Sequence, residues 1–266
     1  MQASEADNEG LLADLALIRD AAREGGDIAM RYFRKDPDVK MKPGNSPVSA
    51  ADFAVDDFLR ETLMAARPDY GWLSEETADS PERLSARRTF VVDPIDGTRA
   101  FIEGRRTWCV SIAVVEAGVP LVGVLDCPAR GEIYEATAES AAILNGSEIK
   151  VSHASDNLRI AGPKPMLAAA PSYMRSEHVI PYIPSLAYRV AMVASGELDA
   201  TFIKPNSHDW DLAAADLILR RAGGQVLNEA GVAPFYAGPQ PRHGALVAGS
   251  GDLLQAMTHV IASIAD

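Results

Sequence analysis

Two aspartates three positions apart, in Asp93-Pro94-Ile95-Asp96-Gly97-Thr98, constrain this chain more than any other feature. They follow directly on the apolar, strand-like run 89–92, so a strand delivers two carboxylates to one proline-stiffened turn. Carboxylates held this close repel each other unless a cation lies between them, and the usual answer is a divalent metal. Gly97 lets the backbone approach a ligand, and N–H groups opening a following helix would face an anion. Metal beside phosphate is the reading that uses every residue of the motif. An ordinary acidic turn is the alternative, because Asp, Pro and Gly are the commonest turn formers.

Two distant segments bear on that choice. Upstream, Trp72-Leu73-Ser74-Glu75-Glu76-Thr77 again places acidic residues at the end of a short apolar run. Downstream, Asp209-Trp210-Asp211 opens a helical pattern that continues to Ala222-Gly223-Gly224, with Leu212, Ala215 and Leu219 on one apolar face and Asp211 at the start. Three acidic clusters far apart in sequence are what a fold needs to assemble a hard-cation site from loops and helix starts.

Together these segments resemble the inositol monophosphatase family, the metal-dependent, lithium-sensitive phosphatases of sugars and nucleotides. Its pattern of a paired-glutamate segment, a DPxDGT turn, and a WD dipeptide before a helix ending in AGG occurs here in order. The resemblance covers roughly residues 10 to 260. Ser46-Pro47-Val48-Ser49-Ala50-Ala51-Asp52 is similar to the family's segment before its second helix. The fold implied is an α-β-α-β-α layered sandwich (α+β to α/β) with the active site between two halves.

The bulk properties agree. A chain of 266 residues, 47% hydrophobic, can bury a large core as one domain or two intimate halves. A net charge of −12 disfavours nonspecific binding to nucleic acid or anionic membrane, which need a basic surface. No apolar run approaches the roughly 20 residues of a membrane span and no signal peptide opens the chain, so the cytoplasm is the expected compartment. Cys109 and Cys127 both lie in apolar runs and read as buried free thiols.

Leu11, Leu15, Ile18, Ala22, Ala29 and Phe33 mark one face of a long amphipathic helix. The polar stretch 35–46 reads as a mobile loop near the metals, and 51–66 as a second helix. Strand-like runs at 89–92, 108–115, 121–126, 132–136 and 141–144 suggest an antiparallel meander. After about Ser155 short strands (200–203, 225–227, 245–248) alternate with helices (186–194, 212–222), and 251–264 supplies a last helix. The expected division is residues 1–154, holding the antiparallel sheet and most metal ligands, and 155–266, holding the last ligand and the residues of substrate choice.

Carried over residue by residue, the resemblance implies that Glu75, Asp93 and the Ile95 carbonyl hold one Mg²⁺ ion. Asp93, Asp96 and Asp211 would hold a second, in a site of two or three. Glu76 is a neighbour rather than a constant ligand. A metal-activated water would attack phosphorus, with Thr98 as its hydrogen-bond partner, Asp52 orienting the threonine, and the N–H groups of Gly97 and Thr98 on phosphate oxygens. His208 reads as structural, because the paired histidines of a zinc motif are absent. His153, His178, His243 and His259 read as exposed, Trp108 as core, and Trp210 as a packing anchor.

Substrate choice rests on two cations. Inositol phosphatases of this family usually carry a glutamate seven residues before the last metal aspartate, where Lys204 stands here. Arg189, on the 186–194 helix, falls near a lysine of the bisphosphate nucleotidases. A fixed cation in place of an acceptor disfavours a neutral polyol and favours a second phosphate. The plain alternative is that both point into solvent. Arg99 and Phe101 match nucleotidase and histidinol-phosphatase patterns, although histidinol phosphatases tend to keep an acidic residue at the Lys204 position. The expected substrate is a small phosphorylated metabolite, first 3′-phosphoadenosine 5′-phosphate, with inositol 1-phosphate next and fructose 1,6-bisphosphate as a further alternative. Some bacterial relatives act on the transcription machinery without catalysis, a reading that Asp96→Asn would separate from an enzyme. Many members dimerise, which leaves a homodimer open; the sequence does not set the oligomeric state.

Overall fold

The computed structural model describes residues 5–35, 39–42, 46–152, 157–174 and 180–265. The run carrying the aspartates is a nine-residue strand, Arg88–Asp96 (β4), buried along nearly its whole length. It belongs to a seven-stranded sheet in the order β3 (Gly71–Ser74), β4, β5 (Cys109–Glu116), β6 (Val119–Cys127), β7 (Glu132–Thr137), β8 (Ile143–Leu144), β9 (Ser147–Glu148). Only the β3–β4 pair is parallel; every other neighbour is antiparallel, so the expected meander is present with a parallel strand added at its edge.

Alternation along these strands splits the core in two. Phe90, Val92, Val110, Ile112, Val114, Val122 and Val124 pack on one face with Ile18, Ala22, Ala29, Val55, Leu59 and Leu63. Those partners come from α1 (Glu5–Tyr32) and α2 (Ala50–Ala66). On the opposite face Val91, Cys109, Ala113, Val115 and Leu125 meet α5 (Leu186–Ala194) and α6 (Asp209–Arg221). The far side of α5 and α6 is covered by a second sheet in the order β10 (Ile160–Ala161), β11 (Ala200–Ile203), β13 (Leu246–Gly249), β12 (Gln225–Asn228). That sheet packs its other face, through Phe202, Leu227 and Val247, on Met166 of α4 (Lys164–Ala169) and on Leu254, Met257 and Ile261 of α7 (Gly251–Ala265). The layers run α-β-α-β-α, as the resemblance implied.

Helix α6 is buried on both sides, as a helix between two sheets must be: Leu212, Ala213, Ala214, Ala215, Leu217, Ile218 and Leu219 are all buried, with Asp216 among them. Its alanines allow a close approach; a side chain at Gly123 of β6 would meet the Ala214 carbonyl at 2.9 Å. Gly223, with φ 96°, ends the helix, its N–H donating to Arg220 O while Gly224 N–H donates to Leu219 O.

One sequence expectation needs correction. The 35–46 stretch is not simply a loop: Val39–Lys42 (β1) pairs antiparallel with Ser46–Ser49 (β2), while 36–38 and 43–45 lie outside the described residues. Alternating lysines on a short hairpin lack the apolar signature by which strands are recognised. Trp108 immediately precedes β5 and is fully buried against Phe33 and Phe101. Cys109 and Cys127 are buried and free. No helix among the described residues is long and apolar enough to cross a membrane.

Asp126, near the end of β6, is 8% exposed and lies under Gly26 of α1, where any Cβ would strike its carboxylate. Burial pushes its pKa to about 7; Arg23 opposes the shift and Asp27 adds to it. The folded carboxyl therefore holds its proton more tightly than the unfolded one, whose pKa is near 3.8. Stability falls as pH rises through that interval and the loss is complete above about 7. Denaturant titrations from pH 4 to 8 are expected to show this decline in the native protein and a flatter profile in Asp126→Asn.

Candidate active site

Three chain segments bring their acidic residues together because four backbone devices hold them. Parallel pairing sets Ser74 beside Val92, and Glu75 N–H donates to Val92 O at 3.3 Å, which places the upstream glutamate next to Asp93. The β4–β5 register shifts between Asp93 and Asp96, a bulge that turns both aspartates toward one place. Pro94 has no N–H, so Ile95 N–H closes an Asx-type turn onto Asp93 Oδ1 at 3.0 Å. Asp211 arrives as the third residue of α6, with His208 as N-cap; His208 N–H donates to Asp211 Oδ2 at 2.7 Å. The helix thus starts two residues before Asp211.

One carboxylate oxygen from each of Asp93, Asp96 and Asp211 falls within a mutual 4.8 Å, and this group could hold a metal ion. Glu75 lies outside that tightest group, half-buried, yet close enough that its charge raises the pKa of Asp93. Burial first, then Glu75, Asp96 and Asp211, drives the Asp93 carboxyl well above its usual range. Burial and then Asp96 do the same for Asp211, opposed by the His208 N–H and the Lys204 charge. Asp96 rises to about 6 through burial, restrained by bonds from Ser185 Oγ (2.5 Å), Ala187 N–H (2.6 Å) and Leu186 N–H (3.3 Å). Carboxylates that resist ionisation for want of a counter-charge are the donor set a hard divalent cation satisfies.

Beside this group stands Thr98, the first residue of α3 (Thr98–Ile102). Its Oγ1 lies 3.0 Å from both Asp52 Oδ1 and the Ile95 carbonyl, and its single proton can serve one of them at a time. Asp52, third in α2, is nearly fully buried, and its Oδ2 accepts from Ser49 N–H at 2.8 Å and Ser49 Oγ at 2.6 Å. Burial raises its pKa against those bonds. Gly97 caps α3 with φ 95°, and a side chain there would press on Ser185 Cβ at 2.9 Å and Thr107 O at 3.1 Å. Only glycine fits this position.

The two cations behave differently from each other. Lys204 is exposed and near enough to Asp211 to lower its pKa. Arg189 does not point into solvent: it is 9% exposed, with Nη1 on Ile183 O (3.3 Å), Nη2 on Phe202 O (3.4 Å) and Nε without a partner. No carboxylate among the described residues lies at ion-pair distance, although Asp96 is near enough to oppose the lowering of its pKa by burial. Arg189 lines a cavity of about 460 Å³ with Gly162, Lys164, Leu167, Pro181 and Tyr182.

Sequence reasoning missed Ser185 and His243. Ser185 N-caps α5, accepting from Tyr188 N–H while its hydroxyl holds Asp96, a role visible only once α5 is docked on β4. His243 is not exposed; its Nε2 lies 2.7 Å from Asp209 Oδ1. His208 has the structural place expected, stacked on the half-buried Trp210 ring at 4.5 Å. His259 is exposed, while His153 and His178 lie outside the described residues.

Residues 13–264 match the model of the inositol monophosphatase family. A histidinol-phosphatase of Chlorobaculum parvum is 33% identical over 220 residues, covering 79% of this chain and 84% of that protein. A 3′(2′),5′-bisphosphate nucleotidase CysQ of Aggregatibacter actinomycetemcomitans is 30% identical over 232 residues, covering 82% and 84%. The crystal structure of extragenic suppressor protein suhB from Bartonella henselae superposes with a TM-score of 0.80 at 25% identity, covering 94% and 98%.

If crowding of buried carboxylates dominates this site, removing one relieves the metal-free protein. Asp93→Asn is expected to unfold at a higher temperature than the native protein in chelator. Saturating Mg²⁺ is expected to reverse the order by stabilising only the native site, about 2.7 kcal/mol at a hundredfold excess over Kd. Thermal unfolding with and without Mg²⁺ reads both.

Proposed function

Since the chain belongs to the inositol monophosphatase family, whose members are phosphoric monoester hydrolases and in general Mg²⁺-dependent, we propose that it is a 3′(2′),5′-bisphosphate nucleotidase, converting 3′-phosphoadenosine 5′-phosphate to AMP and phosphate. The observation that carries this reading is Arg189, a buried guanidinium with no carboxylate partner among the described residues and an Nε without a hydrogen bond; it lines a largely apolar cavity and is near enough to Asp96 to feel its charge. A buried cation without a counter-charge is costly, and an anionic group of the substrate supplies one. Lys204 adds positive charge next to Asp211, which suits a second phosphate and opposes the cationic substrate of a histidinol phosphatase.

In this reading Glu75, Asp93 and the Ile95 carbonyl hold one Mg²⁺ ion, and Asp93, Asp96 and Asp211 another, in a site of two or three. When bound, the ions supply charge to neutralise the phosphate dianion and to make water nucleophilic at neutral pH. The chain's own groups do the rest. Asp52 accepts the Thr98 proton, which turns a Thr98 lone pair toward water and orients it for attack on phosphorus. The N–H groups of Gly97 and Thr98 take phosphate oxygens at the turn that only glycine permits. Asp52 is itself held by Ser49, so the relay is positioned before substrate arrives.

Thr98→Val is expected to lower kcat about a hundredfold with Mg²⁺ affinity unchanged, a magnitude typical of a lost proton-handling group. The substrate assignment is tested by phosphate release from 3′-phosphoadenosine 5′-phosphate, inositol 1-phosphate and histidinol phosphate. The nucleotide is expected to be preferred. Arg189→Met and Lys204→Glu are each expected to cost that substrate about tenfold to a hundredfold in kcat/KM, as for a lost hydrogen bond to a charged group, while sparing inositol 1-phosphate. Preference for either other substrate, untouched by these changes, rejects the nucleotidase assignment.

A further inference from the structure

We infer that His243 is a positioning residue for the last metal-binding carboxylate, acting through Asp209. This rests on the reading that Asp211 holds a metal ion. Asp209 opens α6, is completely buried, and among the described residues His243 is its only basic partner. Both of its oxygens are held: Oδ1 at 2.7 Å by His243 Nε2, and Oδ2 by Ala237 N–H at 2.6 Å. A fully buried carboxylate tied on both sides fixes the rotation of the helical turn that carries it.

The same short segment grips the helix start by its backbone. Asn206 N–H donates to His243 O and His243 N–H to Ser207 O, both at 2.9 Å. Arg242 pairs with His208 in an antiparallel bridge, and Asp209 N–H donates to Pro241 O at 3.2 Å. His208 N–H in turn orients Asp211 through Oδ2. Residues 241–243 therefore control the N-cap, the first residue and, one hydrogen bond further, the third residue of α6. Tyr236 buttresses the imidazole edge-on at 5.4 Å, leaving it little freedom to turn away.

His243 bonds Asp209 and is not one of the clustered carboxylates, so its effect is expected on metal affinity. Outer partners of metal ligands typically contribute tenfold to a hundredfold in affinity. Mn²⁺ titrated into the metal-free protein, with the free ion read by electron paramagnetic resonance, measures this without turnover. In His243→Leu the apparent affinity of the weakest site is expected to fall at least tenfold. His243→Gln, which keeps an N–H donor of similar reach, is expected to stay within about threefold of native. His243→Asn, too short to reach Asp209, takes the place of the leucine variant should that one not fold. Native Mn²⁺ affinity in the leucine or asparagine variant, whatever its unfolding temperature, overturns the inference, as does equal weakening in the glutamine variant. Asp211→Asn is the control: if it leaves Mn²⁺ binding intact, the metal assignment has failed rather than the role of His243.

Discussion

Everything in this molecule answers to the repulsion among Asp93, Asp96 and Asp211, three carboxylates gathered within 4.8 Å. Protein donors hold all three: Ile95 N–H on Asp93, Ser185 Oγ with the Ala187 and Leu186 N–H groups on both oxygens of Asp96, and His208 N–H on Asp211. Two of those donors lie at the starts of α5 and α6, and Asp52 sits in the first turn of α2. The N-termini of α5 and α6 thus donate to the cluster, and their partial positive charge is the cheapest compensation a backbone can offer. It offsets only part of the repulsion, since Asp93 and Asp211 remain well above the usual carboxylate range.

The same requirement explains the layered architecture. A helix that brings Asp211 to carboxylates on β4 has to cross the middle of the protein, where both flanking sheets bury it. Hence α6 is rich in alanine and leucine on all sides, and β6 carries Gly123 where the helix backbone comes closest. The polar exception inside it is Asp216, raised to about 6 by burial and opposed by Arg220 one turn on. Helix α5 serves the neighbouring position, packing on β4 with its capped end at Asp96.

How far the sequence disclosed this follows from how local each signal is. Asp93, Asp96, Gly97 and Thr98 are adjacent, so their turn could be read directly, and β4 and α6 announce themselves by apolar runs of the proper period. Asp52 is named through the family resemblance alone; the Ser49–Asp52 capping box that holds it is local, within four residues, and so leaves a trace in the sequence. Ser185 and His243 leave none, because their partners lie 89 and 34 residues away and nothing in their neighbourhoods distinguishes them. Short pairings such as β8 with β9 and β10 with β11 span two residues each, too few for any period to register. Glu75 was legible as an acidic residue after an apolar run; that it adjoins Asp93 depends on a parallel register that sequence does not specify.

Arg189 and Lys204, drawn together by the sequence as a pair of cations, are unequal once placed. Lys204 is exposed, so water and salt screen it and its flexible stem must be ordered before it can bind anything. Arg189 is already ordered, its two Nη groups spent on the Ile183 and Phe202 carbonyls, and burial has stripped its water. Binding an anion at Nε therefore costs little further entropy or desolvation of the protein, whereas every contact to Lys204 costs both. Under the proposed nucleotidase reading the consequence would be asymmetric: Arg189 would set how tightly a second phosphate is held, and Lys204 how strongly affinity depends on salt.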